Sequence, residues 1–189
     1  TPSFHGTTFV GEATFREAIF PQNTSFRNTI FQQRATFRGA IFRKYANFSE
    51  ATFMKNVSFR GASFGQAATF HRCTFAQQAH YIGTTFKNDA KFVRATFTLD
   101  GNFDNATFMQ HAHFHGATFG KTSSFSKTIF KRNVTFLDIT IKKQARFIFH
   151  QAKFNPNYRK RIQFPSSFAL IDGIPEEAQW ERDNEFVTT

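Results

Sequence analysis

The sequence predicts an all-β solenoid, and three observations carry that prediction. Phe accounts for 30 of 189 residues, whereas Trp occurs once and Tyr three times. The Phe residues recur in alternating steps of five and six, so the period is 11 residues. A second column of small or β-branched residues runs two places before each Phe. A core drawn from nearly one aromatic means one structural position repeated many times.

The series opens Phe4, Phe9, Phe15, Phe20 and Phe26 and runs on to Phe136. Tyr81 takes one Phe slot, and the spacing assigns the slots after Phe136 to Ile141 and then Phe147. The accompanying column includes Ala13, Thr24, Thr29, Ala35, Val57, Cys73, Ala90, Gly101 and Ala117. A spacing of two in an extended chain puts both residues on one side. Each unit therefore points a small residue and a Phe inward, with a polar residue between them pointing out. Polar or glycine-bearing stretches such as Arg60-Gly61 and Gln32-Gln33-Arg34 follow and form the corners. A period of 11 also suits a right-handed coiled coil. The units are rich in Thr, Ser, Asn and Phe and poor in Leu and Glu, which argues against helix.

Units such as Ala35-Thr36-Phe37-Arg38-Gly39, Ala40-Ile41-Phe42-Arg43-Lys44 and Ala117-Thr118-Phe119-Gly120-Lys121 resemble the pentapeptide-repeat family. That family's unit centres on Leu or Phe, with a small residue two places earlier. The resemblance covers residues 2–154 and implies a right-handed quadrilateral parallel β-helix with one unit per side. The sequence departs from the family pattern in two ways. Phe replaces the commoner Leu, and every second unit carries a sixth residue. The expected coil is therefore two full periods of the repeat, four units of alternately five and six, with wider corners on alternate edges. About seven such coils, stacked at about 4.8 Å, make a rod on the order of 33 Å long. Phe15, Phe37 and Phe59 are expected to stack.

The repeat falters after Ile141, where Phe147, Phe149 and Phe154 suggest a two-residue insertion and the last coil. Residues 1–154 are read as the solenoid and 155–189 as a C-terminal capping segment, with a short helix over 175–186 behind Pro175. The chain enters the repeat at once and shows no N-terminal cap. It therefore reads as a fragment or processed product whose open end is a candidate for end-to-end homodimer contact.

Charge is unevenly divided. Residues 1–165 carry 23 Lys and Arg against 7 acids, whereas 166–189 carry one Arg and six acids. Arg16, Arg38 and Arg60 each follow a core Phe by one and form one rank. Lys142, Lys143, Arg146, Lys153, Arg159, Lys160 and Arg161 form a denser group near the C-terminal end. These ten residues are the candidate anion-binding surface. Quinolone-resistance members of the family are acidic rods that mimic DNA and occupy gyrase. Mimicry needs negative sides, which a basic rod does not present. A Thr rank at Thr52, Thr74, Thr96, Thr118 and Thr140 suits a β-solenoid face. The neighbouring rank of Met54, Ala76, Thr98, Gly120 and Lys142 is irregular, which disfavours an ice-binding array.

His111, His113 and His115 alternate with inward residues, so they lie outside on one strand and its corner. Their expected role is surface polarity, with a Zn²⁺ or Ni²⁺ site as the alternative. The acids of the repeat are few and sit mostly at corners, and no phosphate loop, nucleophile elbow or zincin motif occurs. No enzyme activity and no cofactor are expected. Five Asn-x-Ser/Thr sequons, at Asn23, Asn47, Asn56, Asn105 and Asn133, are put down to the abundance of Ser and Thr. Cys73 is the single cysteine and falls at an inward position, which favours a reducing compartment and a cytoplasmic setting. No apolar run reaches the roughly 18 residues of a membrane span. The leading functional expectation is a binding or scaffold module that presents flat basic faces to a macromolecular, anionic partner. The alternatives are a structural spacer and a non-specific nucleic-acid binder held by phosphate attraction alone, since the aromatic rings are inside.

Overall fold

The computed structural model describes residues 2–143, 145–164, 170–171, 174–175 and 178–180. Each turn of the chain contributes four short strands, and each strand pairs in parallel with its counterpart one turn later. The register step is two periods of the repeat on all four sides, with Thr8 opposite Ile30, Ala13 opposite Ala35, Ile19 opposite Ile41 and Thr24 opposite Ala46. The result is a four-sided parallel β-solenoid of about seven coils. In chain order, the first face begins with Thr8–Phe9, the second with Ala13–Thr14, the third with Ile19–Phe20 and the fourth with Thr24–Ser25. Coils are numbered from these four strands.

Two corner types explain the alternation of five and six. In the five-residue units the chain turns tightly, as where the Ala18 N–H donates to the Phe15 carbonyl at 3.1 Å. The residue between them, Glu17, has φ of 58°. A left-handed residue recurs every 11 positions from Gly6 to Asp138, and in most coils it is a side-chain-bearing residue such as Asn28, Arg72 or Lys127. The six-residue units make the wider corners, such as Phe20 to Thr24, and none of these contains a left-handed residue among the described residues.

The interior consists of four columns of aromatic rings. Phe15, Phe37 and Phe59 stack at 4.8 Å between centroids, with interplanar angles of 9° and 6°. Neighbouring columns meet edge to face, as do Phe37 and Phe48 at 5.3 Å and 88°. Offset stacking along the rod and T-shaped contact across it are the two arrangements that a ring quadrupole favours. The small column leaves room for this packing. A Cβ on Gly101 would lie 3.2 Å from the Phe97 ring. Where Thr replaces Ala in that column it finds a partner, because the Thr29, Thr84 and Thr128 hydroxyls donate to the carbonyls of Phe4, Phe59 and Phe103 at 2.7–2.8 Å. Tyr81 fills its slot between Phe59 and Phe103, at 4.9 and 4.8 Å, but its buried hydroxyl has no partner.

The two-residue insertion after Ile141 is real, because the second face steps from Ser123 to Phe147, two positions further than its preceding step from Gly101 to Ser123. The slot assigned to Phe147 belongs instead to Phe149, which stacks on Phe125 at 5.1 Å. Phe147 stands opposite Ser123, in the small-residue column, and meets the Phe119 ring edge-on at 4.8 Å. The insertion is accommodated before this strand, so the second and third faces shift by two, and the 3-10 segment lengthens the step to the fourth side further, from Thr135 to Gln163.

The helix expected over 175–186 is not formed in the described part of that range. Ile174–Pro175 pairs antiparallel with Leu170–Ile171, and Gln179–Trp180 adds an eighth strand to the third face beside Lys153–Phe154. Residues 176–177 and 181–186 lie outside the described residues. Helical geometry appears earlier, as a 3-10 segment at Pro156–Arg161. Asn155 caps it by accepting the Asn157 N–H at 2.9 Å, and Pro156 occupies the first turn. The acids behind Pro175 resemble a helix start, but the described residues on either side, Ile174–Pro175 and Gln179–Trp180, are strands.

Candidate functional site

The second face carries the most polarised surface of the rod. Its outward mid-strand residues are Thr14, Thr36, Ser58, His80, Asn102 and Ser124. The rank just before each strand's small residue comprises Glu12, Arg34, Asn56, Gln78, Asp100 and Thr122, which lie at the wide corner. The rank just after each Phe comprises Arg16, Arg38, Arg60, Ile82, Asp104 and Ser126, which lie at the tight corner. Both ranks stack because the register is constant along the face.

Arg16, Arg38 and Arg60 line one open groove of about 490 Å³ over coils 1–3, together with Arg34 on the opposite flank. Arg34 was not singled out from the sequence. It precedes an inward Ala rather than following a Phe, and only the width of the face brings the two ranks to one groove. Arg16 has a 3.5 Å contact with Glu17, and both side chains are exposed, so the pair is worth little. No carboxylate among the described residues lies within ion-pair distance of Arg34, Arg38 or Arg60. His80 closes the groove at coil 4 with its buried Nδ1 unpartnered. Burial holds its pKa below the usual histidine value, with Asp100 opposing and Arg60 assisting, so the ring is neutral at neutral pH.

Two coils further on, the same face is acidic. Asp100 accepts from the Gln78 amide and the Thr122 N–H, each at 3.2 Å. Asp104 accepts from the Ser124 hydroxyl and from the Ser126 N–H at 3.0 Å. These bonds orient both carboxylates without neutralising them.

The backbone does not carry the C-terminal basic group on one face. Lys142 and Lys143 lie at the corner before the second face, Arg146 begins a strand of that face, and Lys153 belongs to the third face. Arg159, Lys160 and Arg161 lie in the 3-10 segment that leads to the fourth side, where Gln163 bridges to Thr135. Although close in sequence, these seven residues are spread around the last coil.

The fourth face carries the histidines. His111 and His113 have ring centroids 6.1 Å apart, and partial burial lowers the pKa of His113. His115 Nδ1 turns to Asp138 at 3.5 Å. Among the described residues no group of three His, Cys, Asp or Glu is placed to hold a metal ion. The Thr rank from Thr52 to Thr140 stacks in register on the first face. No helix among the described residues is long and apolar enough to cross a membrane.

A family model described as pentapeptide repeats in nine copies matches residues 1–41, 37–80, 70–118, 81–129 and 103–149. No curated protein and no solved structure matches the chain.

Proposed function

The chain belongs to the pentapeptide-repeat family, and we propose, in keeping with a solenoid fold that is consistent with a protein-interaction or structural module, that it is a non-enzymatic binding module that offers the second face to an acidic macromolecular surface. One observation carries this reading. Arg16, Arg38 and Arg60 are stacked a coil apart and share a groove with Arg34, while three of the four arginines have no acidic partner among the described residues. Each guanidinium offers a planar fork of donors that matches carboxylates and phosphates. A rigid wall supports the array, because the strands beneath it are anchored by the ring columns. Binding therefore loses little entropy to ordering of the backbone.

The test is retention on heparin, duplex DNA and single-stranded RNA across a salt series, comparing the parent chain with R38E/R60E. The parent should bind polyanions with a steep salt dependence. The variant should lose most of that binding and keep its melting temperature, since both side chains are exposed. Equal retention of parent and variant would overturn the reading and leave the rod as a spacer.

A further inference from the structure

The second face is bipolar, and its two charged ends have the same layout. In coil 2 the flanking positions are Arg34 at the wide corner and Arg38 at the tight corner. In coil 5 the same two positions are Asp100 and Asp104. Between them, coils 3 and 4 present Asn56, Ser58 and Arg60, then Gln78, His80 and Ile82. A uniform polyanion can meet the arginines over coils 1–3 but would be repelled at coil 5 if it ran the length of the face. The face suits a partner whose own charge reverses along its length.

We propose that this partner is a second copy of the chain, docked second face to second face with the two rods antiparallel. The reading rests on the second face being a docking surface. A two-fold axis lying between the faces, parallel to the strands and level with the gap between coils 3 and 4, reverses the rod direction and keeps each corner on its own side. It sets coil 2 against coil 5, coil 3 against coil 4 and coil 1 against coil 6. Arg34 then stands opposite the second copy's Asp100, and Arg38 opposite the second copy's Asp104. Symmetry repeats both pairs, as an isologous contact requires. Coil 1 brings Glu12 and Arg16 against Thr122 and Ser126, so no like charges oppose each other over coils 1–6. A parallel arrangement would set arginine against arginine. The contact is flat and polar, and one side of a slender rod is a small patch, which places the dimer in the weak, salt-sensitive class.

The test is sedimentation velocity with small-angle scattering on the whole chain over a concentration series, at 50 and 500 mM NaCl. The dissociation constant should be at least about tenfold higher at the higher salt. The dimer should be hardly longer than the monomer, whereas an end-to-end dimer would be about twice as long. R34E/R38E alone and D100K/D104K alone should be monomeric, and their equimolar mixture should dimerise, because all four pairs are then of opposite charge, two as in the parent and two with the sign exchanged. If D100K/D104K melts early, D100N/D104N keeps the acceptors for the Thr122 and Ser126 N–H groups while removing the charge, and it should weaken the dimer. A chain that stays monomeric throughout, a dimer of doubled length, or one that survives R34E/R38E or D100N/D104N overturns the proposal. A monomer whose heparin binding is still lost in R38E/R60E would refute the second copy alone and leave the proposed function standing.

Discussion

Replacing Tyr81 with Phe is expected to stabilise the protein. The ring is fully buried and stacked between Phe59 and Phe103, and its hydroxyl is a polar atom among apolar rings, with no hydrogen-bond partner. A buried hydroxyl left unpaired costs about 1–3 kcal/mol. Deleting the oxygen forfeits less than the roughly 0.8 kcal/mol of one methylene, because every ring contact is kept. The net gain is about 0.5–2 kcal/mol, or a rise of about 2–6 °C in melting temperature for a chain of this size. Guanidinium titration of Y81F and parent at neutral pH measures it. The pH dependence gives an independent check. Burial, and secondarily Cys73, raises the phenol pKa well above its ordinary value in the folded chain. Above about pH 10 the unfolded chain releases this proton while the folded chain retains it, so stability is intact below that pH and falls above it, by up to about 1.4 kcal/mol per pH unit. The advantage of Y81F should therefore widen above pH 10. Cys73 is shifted in the same direction by burial, so the comparison belongs in a C73A background. A Y81F variant less stable than its parent would show that the hydroxyl is satisfied and that the packing argument is wrong.

Other substitutions probe the corners, the core and the fourth face. G61A places a Cβ in open space at φ of +65° and should cost about 1–2 kcal/mol from backbone strain alone. G120A would set a Cβ 2.1 Å from the Thr98 carbonyl oxygen and should cost about 3 kcal/mol or more; equal melting temperatures for the two variants would contradict the distinction between tight and wide corners. F108D buries an unpaired charge between the rings of Phe86 and Phe130 and should unfold at least the adjoining coils, read as protease sensitivity. An unchanged melting temperature would mean that the ring does not face inward. His113 has its pKa lowered by burial, so the folded chain resists a proton that the unfolded chain accepts below about pH 6.5. Its contribution is present above that pH and lost below it. H113Q should flatten the fall in melting temperature between pH 7 and 5, and an identical fall in both proteins would remove His113 as its cause.

The periodicity of 11 set the inward columns and the alternation of five- and six-residue units, and the resemblance to pentapeptide repeats supplied the four-sided coil of two periods. Inward positions recur at constant spacing, and a parallel register turns that spacing directly into stacking. The same spacing stacks Arg16, Arg38 and Arg60. It failed where the repeat broke. The insertion after Ile141 was legible, but its exact place was not, and so Phe147 was given the slot of Phe149. The segment behind Pro175 has no repeat to read, and local composition favoured a helix where pairing with the last coil makes a strand.

What tertiary structure alone decided lies across the face rather than along it. Sequence spacing says which residues share a rank. It does not say that ranks four residues apart, on opposite corners, border one groove. Arg34 joined the arginines for that reason, and Asp100 and Asp104 became the acidic counterpart of Arg34 and Arg38. The grouping of Lys142 to Arg161 dissolved for the converse reason, because a chain that turns a corner every five or six residues carries neighbours in sequence to different sides. In a solenoid the composition of a column is a property of the sequence, and the meeting of columns is a property of the fold.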